Sequence, residues 1–492
     1  MSPRQRLGVI LNESPLLGLH RRRLGFLEVL AQSVAAMAPS AAAVTIPAIV
    51  IGLTGGAAIW AFLAASVIVI LVGYCVTQFA RRMASASGLY SYTAKALGAP
   101  AAFTTGWSLM IGYAGAAMAS ALGGGIYLGS LAGMLGFDHP QGQLTLAVCV
   151  LLVATAAAAL MVRGIQLSAR VSLALEVISV ALVLAILLTL LLSVDDASTG
   201  TLVAGPGFDD ITLGILLAVT AFVGFESAGT LGAEARNPFR AVPRALLWTP
   251  VALAVLYLVA VGAQISLFEG QPTSLLDGGS PVADLTRLQN RDVLTFLLDL
   301  GIFTSWFACL MGSTNALVRV LLSMGREGVC PAWLGRTHRR FGTPYVAIAV
   351  TVPVIATVPL VVVQIRPSIA DVFVDLLTLS AYGYLVSYGL VCLAVPIFLR
   401  KLGELTPAPV VVAVIATTSI VFLVCWTILS FGFAHGAFAV VYLVLMMLGW
   451  AHLGWLRWRQ PGVLSEVGLY DEPLAGDMLP DMFPAMDPPE QP

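Results

Sequence analysis

Five carboxylates fall inside long apolar stretches of this chain: Glu28, Glu176, Glu226, Asp299 and Asp375. A charged side chain is expensive in such surroundings, so each is expected to do a job there. The jobs open to it are binding a cation, carrying a proton or closing an ion pair. Glu226 follows directly on Thr220-Ala221-Phe222-Val223-Gly224-Phe225, a run in which Gly224 weakens a helix. A carboxylate at that point either caps the N–H groups of an interrupted helix or gains and loses a proton. The nearest basic residue along the chain, Arg236, is ten residues on, so no local partner holds Glu226 ionised. Glu176 is the second candidate for a coupling proton. Glu28 lies near the end of its stretch, and Asp299 and Asp375 are expected near water.

The same reasoning singles out a second run, Met37-Ala38-Pro39-Ser40-Ala41. Pro39 and Gly224 each fall about twelve residues into a membrane-length segment, where either residue type interrupts a helix. Backbone that leaves the helix at membrane depth has to be buried in protein or line a wet cavity. A half-helix ending near Met37 turns its last carbonyls toward the gap, and one starting near Ser40 turns free N–H groups there. Helix ends carry about half a charge, positive at the start and negative at the end. The second break repeats the arrangement upside down. The pattern suits a small zwitterion. Its carboxylate would sit on the N–H groups of Ser40, Ala41 and Ala42, beside Ala38 and Pro39. Its ammonium would sit on the carbonyls around Thr220, Ala221 and Phe222, beside Val223 and Gly224. The plain alternative is two kinked helices packed through small residues. One break alone would favour that alternative; a matched pair favours a site.

Such segments need a scaffold, and the composition supplies one. Of 492 residues, 59% are hydrophobic and 10% charged, with a mean hydropathy of +0.93. Soluble domains carry roughly 25% charged residues, so an all-helical protein crossing a membrane many times is expected. Apolar stretches of spanning length fall at 27–53, 57–80, 101–133, 142–162, 168–194, 211–232, 245–268, 293–325, 345–364, 370–398, 408–428 and 433–456, twelve in all. With the N-terminus in the cytoplasm, 22 of the 25 basic residues lie on the inner side. Only Arg287, Arg291 and Arg366 lie outside, the asymmetry that sets orientation.

The breaks at Pro39 and Gly224 are 185 residues apart. The same offset carries 57–80 onto 242–265, near the seventh stretch, and 101–133 onto 286–318, overlapping the eighth. Five spans separate the breaks, so the halves are inverted: a 5+5 inverted repeat followed by two extra helices. A short helix is expected in the long loop near 269–292. From Gln460 onward the chain has seven acidic residues, seven prolines and no Lys or Arg, a composition that disorders a tail. The basic N-terminus, with Arg21-Arg22-Arg23, is not followed by a cleavable signal pattern. The six cysteines form no CxxC pair, so neither a metal nor another cofactor is expected. No phosphate-cradling GxxxxGKS loop is present, which disfavours transport driven directly by ATP.

Three further stretches carry a resemblance. One is Gly88-Leu89-Tyr90-Ser91-Tyr92-Thr93-Ala94-Lys95-Ala96-Leu97-Gly98. A second runs from Gly224-Phe225-Glu226 to Asn237-Pro238-Phe239-Arg240-Ala241-Val242-Pro243-Arg244. The third is Arg326-Glu327-Gly328-Val329-Cys330-Pro331 with Gly342-Thr343-Pro344 after it. Together, in order and over about residues 25–400, they resemble the amino acid–polyamine–organocation permeases. The likeness implies the LeuT-like fold, with cargo held between the broken first and sixth helices. It also places Pro39-Ser40-Ala41 where that family has a Gly-Ser-Gly-like break that binds a cargo carboxylate. This chain departs there, with Pro and Ala in place of glycines, and Pro39 has no N–H to donate. Thr220 falls where the similar arginine/agmatine antiporters place a tryptophan gate. Tyr113 and Ser313 fall at pocket-lining positions. Glu176 falls where many proton-coupled relatives carry a lysine.

The expectation is an all-α LeuT-like membrane protein of twelve helices. Residues 1–26 form a cytoplasmic N-terminal segment, 27–398 the transport core, 399–459 helices eleven and twelve, and 460–492 the tail. The expected function is a secondary transporter in the plasma membrane, moving an amino acid or related amine by alternating access. A proton or an exchanged solute would drive it, and its partners are the small cargo and lipid, with no nucleic acid. The alternatives are an organic cation or polyamine exporter or exchanger, or a sensor derived from a transporter. An intramembrane enzyme is disfavoured, because the five histidines are scattered.

Overall fold

The computed structural model describes residues 24–136, 142–192, 206–269, 271, 281–288, 291–338, 340–366, 368–431, 437–464 and 467–468. The first half of the chain forms α1 (Phe26–Met37), α2 (Pro39–Thr54), α3 (Ala58–Ala80), α4 (Leu89–Leu97), α5 (Ala99–Met134), α6 (Gln143–Arg163), α7 (Ile165–Leu191) and α8 (Phe208–Thr220). A 3-10 segment at Phe225–Leu231 leads to α9 (Pro238–Phe268), α10 (Pro281–Leu288), α11 (Asp292–Arg326), α12 (Tyr345–Ile365), α13 (Ile369–Lys401), α14 (Pro407–Phe431) and α15 (Ala437–Arg459). Among the described residues there is no strand, only an isolated bridge between Leu24 and Ala235.

Among the described residues, eleven helical stretches are long and apolar enough to cross a membrane. The first, Phe26–Ala80, has 55 residues, about 80 Å of helix, which holds two crossings of a ~30 Å hydrocarbon core. Helix lengths match between the two halves, although the spacing grows from about 193 residues for α5 and α11 to 202 for α6 and α12. α5 has 36 residues and its counterpart α11 has 35, while α6 and α12 have 21 each. Near 54 Å long, α5 and α11 have to tilt to stay within the bilayer. The stretch holding α8 and the 3-10 segment, together with α5 and α13, is largely enclosed. α14 and α15 stand at the rim with Val411, Val414, Val421, Met447 and Leu448 exposed as a lipid-facing surface.

Local sequence explains where the broken helices begin and end. Asp209 and Asp210 occupy the first turn of α8, where acidic groups favour a helix N-terminus, and Gly207 N–H donates to Asp210 Oδ2 at 3.0 Å. α1 starts the same way, with Gly25 N–H on Glu28 Oε2 at 2.9 Å. Glu28 Oε1 pairs with Arg170 of α7 at 2.8 Å. α2 starts on Pro39, whose fixed φ suits the first helical position and whose missing N–H would have had no partner there.

Two ion pairs close the two ends of α11. Asp299, fully buried, accepts from Ser130 Oγ of α5 at 2.6 Å and pairs with Arg287 of α10 at 3.2 Å. Twenty residues along α11, about 30 Å away by helix rise, Arg319 pairs with Glu234 in a buried contact. Glu234 O also accepts from Leu24 N–H at 3.2 Å, and Leu24 O accepts from Arg236 N–H at 2.8 Å. Asp299 is thus enclosed rather than near water, and Asp375 pairs with Arg366 at 2.8 Å. The expected helix in the loop near 269–292 is α10. The stretch expected to be disordered begins with a helical turn at Pro461–Leu464. Gly468 N–H then donates to Glu327 Oε1 at 2.9 Å. The N-terminal arginines, Asp195, Asp196 and the tail beyond Gly468 lie outside the described residues.

Candidate functional site

The two breaks meet. Ala38 adopts a left-handed conformation (φ 46°, ψ 58°) between α1 and α2, and Gly224 another (φ 103°) between α8 and the 3-10 segment. A Cβ on Gly224 would lie 2.7 Å from Ala36 O, and one on Gly312 of α11 would lie 2.7 Å from Ala36 N. The last turn of α1 is therefore wedged between two glycine backbones. Side chains bind it there. Gln32 Nε2 donates to Gly312 O at 2.8 Å, Ser33 Oγ to Phe225 O at 2.6 Å, and Ser227 Oγ to Gln32 O at 3.2 Å. Cys309 Sγ donates to Ala36 O at 3.2 Å, capping a carbonyl that the helix end leaves free.

At the start of α2 the expected anion site is filled from within the chain. Glu176 of α7 places Oε1 2.8 Å from Ser40 N and 2.9 Å from Ser40 Oγ, and both groups donate to it. Ser305 Oγ of α11 donates to the same oxygen at 2.9 Å and accepts from Ala41 N–H at 3.2 Å. Ala42 N–H closes onto Ala38 O at 2.8 Å. In this structure the carboxylate on the half-helix N-terminus is that of Glu176, where a cargo carboxylate is expected on the N–H groups of Ser40, Ala41 and Ala42.

The second break gathers aromatic hydroxyls. Glu226 Oε2 accepts from Gly224 N–H at 3.2 Å and from the hydroxyl of Tyr388 in α13. Tyr113 of α5 lies beside the same carboxylate and packs edge-on against Tyr384, with ring centroids 5.3 Å apart. Tyr384 and Tyr388 are 5.8 Å apart by the same measure, and Tyr384 lies next to Ser313. Ser313 is fully buried, 3.7 Å from Cys309 Sγ. Thr220 turns its hydroxyl back onto Leu217 O within α8, and Ala221 O accepts from Tyr257 of α9 at 2.8 Å. Phe222 stacks edge-on with Tyr257 at 4.9 Å, and Val223 is buried.

Several oxygens in this region are buried without a well-aligned hydrogen-bond partner, among them Glu176 Oε2, Glu226 Oε1, Tyr113 OH and Tyr384 OH, with Tyr113 within reach of Glu226 and Tyr384 of Ser313. Buried polar atoms are normally paired, so such a group is a place for something to bind. The sequence pointed to both carboxylates, both breaks, Tyr113 and Ser313. It did not point to Ser305, Cys309, Tyr257, Tyr384 or Tyr388. Two signals were available. Ser305, Cys309 and Ser313 recur every four residues, which puts small polar groups on one face of α11. Tyr384 and Tyr388 are likewise four apart, mid-segment, where a hydroxyl needs a partner.

Comparison with known proteins gives the family. A family profile described as amino acid permease matches residues 24–451. The methylthioribose transporter of Bacillus subtilis (strain 168) is 25% identical over 306 residues, 59% of this chain and 64% of the relative. The chain thus spans under two thirds of that relative's length. The branched-chain amino acid permease of Lactococcus lactis subsp. cremoris is 24% identical over 369 residues, covering 72% of this chain and 77% of its own. Cationic amino acid transporter 4 of Mus musculus is 26% identical over 373 residues, 69% of this chain and 55% of its own. Their names give different cargoes. Because the profile match runs from Leu24 into α15 and takes in both breaks, this multi-pass membrane protein belongs to the amino acid permease family.

Proposed function

We propose that the chain is a secondary transporter that carries an amino acid or a related amine across the plasma membrane by alternating access. The observation that carries this reading is the meeting of two helix breaks around unpartnered buried oxygens, with an ion pair at either end of α11. Irregular backbone buried at membrane depth is a place where a transporter holds its cargo. Ala38, Pro39, Ser40, Ala41 and Ala42 on one side and Thr220, Ala221, Phe222, Val223 and Gly224 on the other form the wall, with Tyr113 and Ser313 closing it. Opening one ion pair while the other holds would expose the site to one side at a time. Glu226 and Glu176 are the groups that would carry a coupling proton, and exchange of one solute for another is the other drive. The bias of basic residues supports cytoplasmic N- and C-termini.

The test is uptake into proteoliposomes of the purified full chain, over labelled amino acids and amines, at two pH values with and without sodium. Saturable accumulation that collapses when the proton gradient is dissipated, or that requires trapped solute inside, is the expected result. Absence of saturable uptake for every compound would overturn the reading.

A further inference from the structure

The donors and acceptors around the breaks are unequally used, and that imbalance bears on the cargo. A half-helix N-terminus can hold a cargo carboxylate only through N–H groups left free. At the start of α2 none is left free. Pro39 has no N–H, Ser40 N–H is on Glu176, Ala41 N–H is on Ser305 Oγ, and Ala42 N–H is on Ala38 O. The Ser40 hydroxyl is on Glu176 as well. A cargo carboxylate would have to displace one that the chain holds with three donors, and would then lie against it. Like charges at such range are unfavourable.

The unused groups have the opposite character. Glu176 Oε2 and Glu226 Oε1 are acceptors when ionised, and the hydroxyls of Tyr113 and Tyr384 accept as well as donate. All four side chains are at least 99% buried. Among the described residues no Lys or Arg forms an ion pair with Glu176 or Glu226. Trp306 Nε1 is also unpartnered, but one neutral N–H does not replace the several donors that a carboxylate needs. Tyrosine rings add affinity for a cation through their faces.

We infer that the cargo is an organic amine without a carboxylate, its ammonium held by Glu226 Oε1 with the Tyr113 and Tyr384 hydroxyls, while Glu176 fills the anion half of the site. This rests on the transporter reading above and narrows its cargo.

Matched probes that differ by one carboxylate test it: agmatine against arginine, cadaverine against lysine, ethanolamine against serine. Each is assayed as labelled substrate and as competitor in proteoliposomes of the full chain. The expected result is uptake of at least one amine, with its parent amino acid competing at least tenfold more weakly. Glu176→Ala frees the Ser40 N–H and is expected to cut that ratio at least tenfold. Glu226→Gln is expected to raise the half-saturating amine concentration at least tenfold. Preferred uptake of the parent acid, or an unchanged ratio in a well-folded Glu176→Ala, overturns the inference and leaves the transporter reading standing. Uptake of no member of any pair overturns the inference, and the wider uptake screen above then decides the transporter reading. The wild-type ratio decides alone if Glu176→Ala does not insert.

Discussion

Glu226 divides its two oxygens between different tasks. One is fixed by Gly224 N–H and Tyr388, and the other is open. The groups that face it are Tyr388 and Tyr384 of α13 and Tyr113 of α5, all neutral phenols in their protonated form, so no fixed cation opposes protonation. Replacing Glu226 by Gln keeps the shape and removes the proton site. The expected outcome is that whatever uptake remains in Glu226→Gln loses most of its pH dependence between pH 5 and 8. Transport by Glu176→Gln over the same range is the control. Loss of the pH dependence there instead would move the proton to α7, and a wild-type profile in both variants and in the double variant would sink coupling through either group. Both carboxylates were legible because ionised side chains are rare in apolar segments. What Glu176 holds was not legible, since Ser40 is 136 residues away in the chain. Tyr257, Tyr384 and Tyr388 were not legible, because an amphipathic ring also suits the membrane–water boundary, so its residue type alone does not give its depth.

Among the elements, the two breaks are built by different means. Gly224 takes its conformation at little steric cost, whereas Ala38 is the one residue other than glycine with positive φ among those described. A left-handed alanine costs roughly 1–2 kcal/mol. Ala38→Gly is accordingly expected to be neutral or to stabilise the purified protein by up to about 1 kcal/mol, read from thermal unfolding in detergent. A loss of more than that amount would mean that the alanine methyl packs against something essential. Gly224→Ala should act oppositely. Its Cβ meets Ala36 O and forces α1 away from the 3-10 segment, so uptake is expected to fall at least tenfold while the protein still reaches the membrane. Uptake at the wild-type rate would show that the wedge can relax without loss. The sequence marked both breaks through Pro39 and Gly224. It put the end of the first half-helix near Met37, where α1 does end, but the left-handed turn at Ala38 was not legible, because a following proline drives a residue out of the helix toward extended backbone instead. The packing of Ala36 between Gly224 and Gly312 decides the matter, and that is a tertiary contact.

At the scale of the whole molecule, the order of helices was legible because apolar length is written directly into composition. The way the ends are tied was not, since each tie joins residues far apart in sequence. Arg319 was counted only as one more basic residue on the Arg-rich side, yet it is buried with Glu234. Removing one member of a buried pair strands the other, at roughly 3–5 kcal/mol. Arg319→Leu should therefore lower the unfolding temperature markedly, and the double variant Arg319→Leu with Glu234→Leu should recover much of it. No recovery in the double variant would mean that the pair is not the source of the loss. The tie at the other end of α11 differs in one respect: the Arg287 side chain is 38% exposed, against 5% for Arg319. At molar ionic strength the Debye length shrinks to about 3 Å, which weakens a pair that solvent reaches through one partner, as through Arg287 here, more than a pair enclosed on both sides. Concentrated electrolyte on the α10 side is then expected to speed alkylation of Cys309 by an impermeant reagent supplied there, while the same electrolyte on the Glu234 side leaves it unchanged. The resting protein would lean toward whichever compartment is the saltier only if that compartment faces α10, which makes the molecule an asymmetric responder to its ionic surroundings.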